Sequence, residues 1–172
     1  MSASGGGVLV HATSVVLAAA ARPFGGPENT AVLLLGEAGS GKSDLALRLI
    51  AAGARLIADD QTMLSVAGGR LWAEAPGGIR GLIEIRGAGI VRLDPADRAP
   101  VGLAVRLRPA GGIVRLPEPA NYLPPAPLKP LAPPPLIELD PFEASAAPKV
   151  AAAASAAVLG RFLAGAAEPK SA

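Results

Sequence analysis

The unbroken apolar run at residues 31–35 is followed directly by a glycine-rich loop and then by a helical pattern of apolar residues. The loop, residues 36–43, reads Gly-Glu-Ala-Gly-Ser-Gly-Lys-Ser and matches at every position the phosphate-loop pattern GxxxxGK followed by Ser or Thr. A short apolar run that ends at a glycine is typical of a strand buried on both faces. Leu45 and Leu49 then recur at helical spacing, and Gly53 stands where a helix commonly ends. This order of strand, loop and helix predicts an α/β fold.

The residue types in the loop suit the binding of phosphate. Glycines let the backbone curl so that successive N–H groups point inward at phosphate oxygens, and the following helix adds its positive dipole end. Lys42 can reach the terminal phosphates, and the Ser43 hydroxyl can ligate Mg²⁺. The alternative, a plain glycine-rich turn, does not explain the strand before the loop and the helix after it. The predicted nucleotide-binding residues are Gly36, Glu37, Ala38, Gly39, Ser40, Gly41, Lys42 and Ser43.

The rest of the chain predicts one phosphate-loop domain over residues 8–165, with a mixed sheet that contains several hairpins. Residues 8–20 indicate one or two strands, although their alanines also permit a helix. Gly68 and Gly69 separate two strand candidates and indicate a hairpin turn. The further strand candidates are residues 55–60, 62–66, 70–74, 82–85, 90–93, 101–107 and 136–139.

Nine prolines occupy the nineteen residues from 117 to 135. Proline lacks the N–H that helices and ladders need, so this segment is predicted to be an extended loop or disordered. Residues 149–163 are rich in alanine and predict a helix. The ends, residues 1–7 and 166–172, are expected to be flexible.

Composition excludes several classes of function. The chain has no cysteine, which excludes disulfides, thiolate metal sites and a cysteine nucleophile. Sixteen basic residues against fourteen acidic ones argue against nucleic acid or an anionic membrane as the main partner. The apolar stretch near the start is shorter than the roughly 20 residues of a membrane span and contains His11. A soluble cytoplasmic protein is expected.

Three acidic residues are candidates for the chemistry of phosphate transfer. Asp59 and Asp60 end the strand that follows the helix, where one carboxylate can hold Mg²⁺ through water and the other can take a proton from a hydroxyl. The alternative is a solvated turn, in which Asp is common. Glu84 interrupts an apolar strand, where an unpaired carboxylate is costly. Either Arg86 pairs with it or a metal ion does.

His11 is the one histidine of the chain. A lone histidine in an apolar stretch is often a packed, hydrogen-bonded residue, and a site residue is the alternative. Arg80, Arg106 and Arg115 are unassigned positive charges. Surface charge is the default interpretation for each, although arginine is suited to bidentate pairing with a substrate phosphate.

Three segments together resemble the C-terminal catalytic domain of the HPr kinase/phosphorylase family. They are the phosphate loop, the block Arg-Leu-Ile-Ala-Asp-Asp at residues 55–60, and Leu-Ile-Glu-Ile-Arg-Gly-Ala-Gly-Ile at residues 82–90. The resemblance covers residues 11–93, with a weaker similarity at residues 140–150. The chain resembles the short forms typical of alphaproteobacteria, which lack the N-terminal domain. The resemblance implies an ATP- and Mg²⁺-dependent kinase for a serine of the phosphocarrier protein HPr, an enzyme that also reverses the reaction by phosphorolysis.

The resemblance also implies roles for single residues. The phosphate loop binds the nucleotide phosphates with Lys42 as a catalytic residue, and Ser43 and Glu84 ligate Mg²⁺. Asp60, beside Asp59, is the proton acceptor in the kinase direction and the donor in the reverse direction. His11 matches the family's active-site histidine, and Arg115 is a loose match for its later active-site arginine.

Two features leave alternatives open. The long enzymes carry a late basic block, Val-Arg-Pro-Gly-Arg-Asn, tied to dephosphorylation, whereas residues 139–145 of this chain contain no arginine. Phosphorolysis is therefore left open as an additional activity. Because the short forms lack the N-terminal domain and this chain has a proline-rich insert, the hexameric assembly of the long forms is not carried over, and a homo-oligomer stays one possibility. The competing functions are a non-catalytic nucleotide-binding regulator and a small-molecule kinase or NTPase on the same scaffold.

Overall fold

The computed structural model describes residues 6–18, 25 and 29–162. Within these residues the chain forms a mixed sheet, a separate two-stranded sheet and two helices, which confirms the predicted α/β class with its hairpins. The strands are β1 (Val8–Leu17), β2 (Thr30–Leu35), β3 (Arg55–Ala58), β4 (Gln61–Ala67), β5 (Arg70–Glu74), β6 (Leu82–Ile85), β7 (Gly89–Arg92), β8 (Ala99–Leu107), β9 (Ala120–Asn121) and β10 (Pro135–Leu139), and the helices are α1 (Lys42–Ala51) and α2 (Ala146–Val158).

Strand β2, which leads into the phosphate loop, is supported on both edges. It pairs antiparallel with β1 and parallel with β8, and every residue of it except Leu35 is buried. Its side chains alternate between two apolar clusters, as strand geometry requires. Val32 and Leu34 pack in one cluster with both helices, whereas Leu33 packs in the other. The end of β2 is therefore a rigid base for the loop.

Five strands form a closed ring of pairings, in the order β2, β1, β4, β5, β8 and back to β2. β1 is long enough to serve three neighbours, because its first half pairs with β4 while its second half pairs with β3 on one edge and β2 on the other. Gly68 and Gly69, both with positive φ, form the predicted hairpin turn between β4 and β5. The ring brings residues of β1 beside both the phosphate loop and the acidic pair after β3.

The two helices lie against the same face of the sheet. Leu45 and Leu49 of α1 and Val150 and Ala154 of α2 belong to one buried cluster. Helix α1 ends at Ala51, and Gly53 lies just after it as predicted. Gly53 has a φ of 101°, and its N–H donates to the carbonyl of Ile50.

Helix α2 begins three residues earlier and ends five residues earlier than its predicted range. Pro148 lies in its first turn, where the missing N–H has no partner within the helix, so proline does not exclude this start. Gly160 ends it with a φ of 63°, and Arg161 N–H donates to the Ala156 carbonyl in the geometry of a glycine-terminated helix. Leu163, the predicted last residue, lies outside the described residues.

The proline-rich segment follows the sheet as extended chain. Its strand β9 pairs with the start of β10, and Tyr122 and Leu128 are buried in the cluster on the face opposite the helices. Burial raises the pKa of Tyr122 above its ordinary 10.0, while the nearby charge of Arg106 acts in the opposite direction. Most of the expected flexible ends, residues 1–5 and 166–172, lies outside the described residues. No helix of the described chain is long and apolar enough to cross a bilayer.

Candidate active site

The phosphate loop has backbone geometry that requires glycine at three positions. Gly39 and Gly41 have φ angles of 78° and 90°, which side-chain-bearing residues rarely adopt. A Cβ atom on Gly36 would lie 2.4 Å from the hydroxyl oxygen of Ser40. The loop therefore curls tightly between the end of β2 and Lys42, the first residue of α1.

Lys42 is directed inward, with only 5% of its surface exposed. Its Nζ donates to the carbonyl oxygens of Gly36 and Glu37 at 2.9 Å each and lies 3.0 Å from His11 Nε2. Burial lowers the pKa of Lys42 from its ordinary 10.5, and the carboxylates of Asp60 and Asp59 act in the opposite direction. The ammonium is thus held at the centre of the curled loop.

The acidic pair divides into a buried and an exposed member. Asp59 is buried and accepts three hydrogen bonds, from Thr13 Oγ1 at 2.9 Å, Ser43 Oγ at 2.7 Å and the Glu84 N–H at 3.2 Å. These bonds connect β1, α1 and β6 to one carboxylate, so a solvated turn does not describe Asp59. Its contact with Ser43 places a carboxylate beside the hydroxyl that is predicted to hold a metal ion.

Asp60 is turned toward solvent and toward His11. It adopts a φ of 63°, and its N–H donates to Thr13 Oγ1 at 3.1 Å. Its Oδ1 lies 3.3 Å from His11 Nδ1. Because an ammonium has only donors, His11 Nε2 is the acceptor in the contact with Lys42, and Nδ1 then carries the ring proton toward Asp60. His11 thus bridges the cation and the exposed carboxylate, which the lone-packed-residue interpretation does not provide.

Glu84 lies next to this cluster, but its side chain is exposed. The argument that an unpaired carboxylate would be costly in this strand therefore does not apply. Among the described residues its carboxylate forms no ion pair with Arg86 and no hydrogen bond, whereas its backbone N–H binds Asp59. The family block at residues 82–90 forms a hairpin, β6 and β7, that sets this backbone against the acidic pair.

The residues present fit a nucleotide phosphate and a hard divalent cation. Ser40 Oγ is buried without a hydrogen-bond partner inside the loop, and a Cβ on Gly39 would meet nothing within 4 Å, so the loop presents an unused polar group and open space. The Ser43 hydroxyl and the Asp59 carboxylate are oxygen ligands of the kind that Mg²⁺ prefers. No cluster of three or more His, Asp or Glu side chains with metal-binding geometry occurs in the described chain. Ser43, Asp59 and Glu84 are the residues that would hold the ion, with phosphate and water completing its shell.

On the other flank of the loop, a cleft of about 780 Å³ lies between the loop and the ends of β8 and β10. Arg106 and Arg108 line it, and both pair with Glu138, at 3.5 Å and 2.7 Å. Arg115, the loose match for the family's late arginine, is exposed and does not line this cleft. Arg80 forms a surface ion pair with Asp97.

Sequence reasoning missed three residues at this site, which are Thr13, Arg108 and Phe142. Thr13 had a signal, because the strand period of two places it on the same face as His11. Arg108 and Phe142, which also line the cleft, had none, because their position depends on the parallel pairing of β8 with β10.

The lowered pKa of Lys42 makes a prediction about pH. Anionic phosphates favour the charged lysine, so binding takes up protons in the alkaline range where the free ammonium is partly deprotonated. We expect net proton uptake on ATP binding at alkaline pH below the ordinary lysine pKa of 10.5, measured by calorimetry in buffers of different ionisation enthalpy. In Lys42→Arg the guanidinium stays protonated, and the uptake should disappear. Equal uptake by both proteins would show that another group titrates.

Comparisons with known proteins show similarity to one family in part of the sequence and in the fold. Residues 28–95 match the family described as "HPr Serine kinase C-terminal domain". Proteins named HPr kinase/phosphorylase from Thermoanaerobacter sp. (strain X514) and Brevibacillus brevis are 52% identical over 61 residues and 46% identical over 63 residues. These matches cover 35% and 36% of this chain and 20% of each relative, so the chain matches about a fifth of their length.

The fold likeness extends further than the sequence likeness. The solved structure of the HPr(Ser) kinase/phosphatase from Coxiella burnetii matches with a TM-score of 0.65 and covers 83% of this chain and 85% of its own chain, at 23% identity. That structure supports the fold, and the range matched by the family model, residues 28–95, spans the phosphate loop, the acidic pair and the Glu84 hairpin. Over residues 28–95, the chain is similar to the family described as the HPr serine kinase C-terminal domain.

Proposed function

We propose that this chain is an ATP- and Mg²⁺-dependent protein serine kinase that phosphorylates HPr or an HPr-like phosphocarrier. The observation that carries the proposal is the contact chain from Lys42 through His11 to Asp60 at the mouth of the phosphate loop. It places a cation for phosphate charge and an exposed carboxylate for a hydroxyl proton on either side of one imidazole. A passive nucleotide sensor has no need for the second of these.

In the proposed reaction, Asp60 accepts the proton of the incoming serine hydroxyl. The serine oxygen then forms a bond to the terminal phosphorus of ATP, and the bond from that phosphorus to the bridging oxygen breaks to release ADP. Phosphoryl transfer depends mainly on positioning and charge neutralisation. Lys42 supplies positive charge at the phosphates, and His11 holds the Asp60 carboxylate with its Nδ1–H.

Ser43, Asp59 and Glu84 are the proposed holders of Mg²⁺, and the ion would supply neutralisation of phosphate charge. Asp59 has a second task in this proposal. By accepting hydrogen bonds from the hydroxyls of Ser43 and Thr13, it fixes the orientation of both groups. The exposed carboxylate of Glu84 is free to turn toward the ion from the β6–β7 hairpin.

The phosphoacceptor rests on the relatives' names, which are HPr kinase/phosphorylase and HPr(Ser) kinase/phosphatase. Those names also suggest the reverse direction, in which an oxygen of inorganic phosphate forms a bond to the phosphorus of the phosphoserine, the bond from that phosphorus to the serine oxygen breaks, and pyrophosphate is the product. Asp60 would then return the proton to the serine oxygen. We include this reverse reaction in the proposal as a separate activity with its own assay.

The test is an assay with γ-labelled ATP and Mg²⁺, with and without purified HPr, and with an HPr variant whose acceptor serine is alanine. Label on HPr but not on the alanine variant supports the proposal. Release of labelled phosphate without label on HPr indicates an NTPase, and ATP binding without turnover indicates a nucleotide-binding regulator. Phosphate-dependent release of pyrophosphate from phosphorylated HPr tests the reverse direction.

A further inference from the structure

Phe142 occupies a position at the phosphate loop that the proposed phosphoryl transfer does not use. It is one of only five aromatic residues in the chain, and it lines the cleft beside the loop. Its side chain is 69% exposed, so burial in the apolar core does little to hold it in this position. The residue therefore calls for an explanation other than packing.

The ring lies directly against the end of the loop. A Cβ atom on Gly41 would lie 3.1 Å from Phe142 Cζ and 3.2 Å from Pro141 Cγ. A side chain at that position would press against the ring, so the glycine allows the ring and the loop to approach closely. Gly41 immediately precedes Lys42, so the ring lies at the end of the loop where α1 begins.

The backbone around Phe142 is fixed by α1, the helix that begins at the loop. Arg48 donates to the carbonyl oxygens of Pro141 and Glu143, the latter at 3.2 Å, and pairs with Asp44 at 3.0 Å. The N–H of Phe142 donates to the Asp140 carboxylate at 3.0 Å. These contacts hold the backbone that carries the ring at a set place relative to the loop before any ligand binds, which reduces the ordering cost of binding.

We infer that Phe142 is the stacking platform for the base of the nucleotide whose phosphates occupy the loop. This inference rests on the proposed function, because it takes the loop to bind ATP. An aromatic ring offers every purine a π-face, and the cleft of about 780 Å³ has the size of a small-molecule site. Among the residues that line this cleft, Phe142 is the aromatic one.

The experiment separates the base from the phosphates by comparing ATP with inorganic tripolyphosphate. Both ligands can occupy the loop, but only ATP has a ring to stack. Phe142→Ala should weaken ATP binding by about tenfold or more in calorimetry and leave tripolyphosphate affinity unchanged. Phe162→Ala is the matched control, because Phe162 is also exposed and follows the far end of α2, a helix about 20 Å long that begins after Phe142.

A second variant gives a readout that a structural role would not move. In Phe142→Trp the new indole should keep ATP affinity, and its fluorescence should be quenched by ATP and not by tripolyphosphate, with wild type correcting for Trp72. Equal loss of affinity for both ligands in Phe142→Ala would overturn the inference, because the ring would then only shape the loop. Unchanged ATP affinity would overturn it as well. If Phe142→Ala weakens ATP binding alone but the wild type never labels HPr, the proposed function is overturned and this inference stands.

Discussion

Asp60→Asn is expected to lower the single-turnover rate of phosphoryl transfer to HPr by about 10²–10⁴-fold, the usual contribution of a general base. Asparagine keeps the size of the side chain, and its amide oxygen can still accept a hydrogen bond from His11 Nδ1–H. It cannot act as a base for the serine proton. ATP affinity should stay within about threefold of wild type, because Asp60 is exposed and outside the phosphate loop. Rapid-quench transfer and equilibrium ATP binding measure the two effects.

Two variants control this result. Asp94→Asn removes an exposed carboxylate that pairs only with Arg55 at the surface, and it should leave the rate unchanged. Asp59→Asn should act differently, because an amide cannot accept all three hydrogen bonds of that buried carboxylate. We expect it to lower the free energy of unfolding by about 1–3 kcal/mol and to weaken Mg²⁺ binding. If Asp59→Asn alone abolishes transfer in a stably folded protein, the roles of the two acids are reversed.

Lys42→Met should reduce phosphoryl transfer by about 10²–10³-fold or more, which is typical for the loss of a preorganised charge at developing negative charge. Methionine retains the apolar stem in the buried site, whereas alanine would leave a gap there, since Lys42 is 5% exposed. The substitution also leaves the carbonyls of Gly36 and Glu37 without their donor. Single-turnover transfer and ATP affinity should therefore both fall.

Lys129→Met is the matched control, because it makes the same substitution at an exposed lysine of the proline-rich segment. Its transfer rate should equal that of wild type. If Lys42→Met were to keep near wild-type transfer, the assignment of residues 36–43 as the catalytic phosphate loop would be wrong.

The part of the site that the sequence predicts is the part made by short-range contacts. The loop, the start of α1 and the turn at Gly68 and Gly69 are set by residues within a few positions of one another. Glycine conformation and apolar periodicity report such contacts directly. The resemblance added His11, which is distant in sequence from the acidic pair.

The part that escaped prediction depends on long-range pairing. Arg108 and Phe142 reach the loop because β10 lies parallel to β8, and nothing in the local pattern of either strand fixes that neighbour. The predicted end of α2 was wrong for a different reason. Gly160 was passed over within an alanine-rich run, although its positive φ is what ends the helix. The sequence argument that Glu84 is buried is wrong, since its side chain is exposed, and no local pattern indicates that Lys42 is enclosed.

The pairing of β2 with both β1 and β8 has a consequence for the order in which the protein can take shape during translation. The segment that carries the family match, residues 28–95, contains β2 and the loop but neither strand that pairs with β2. Until residue 107 has left the ribosome, one edge of β2 lacks its neighbour, and the loop stands on an incomplete base. The stretch that similarity marks most clearly is therefore not a unit that can fold by itself, and a fragment cut to its limits should fail to bind nucleotide.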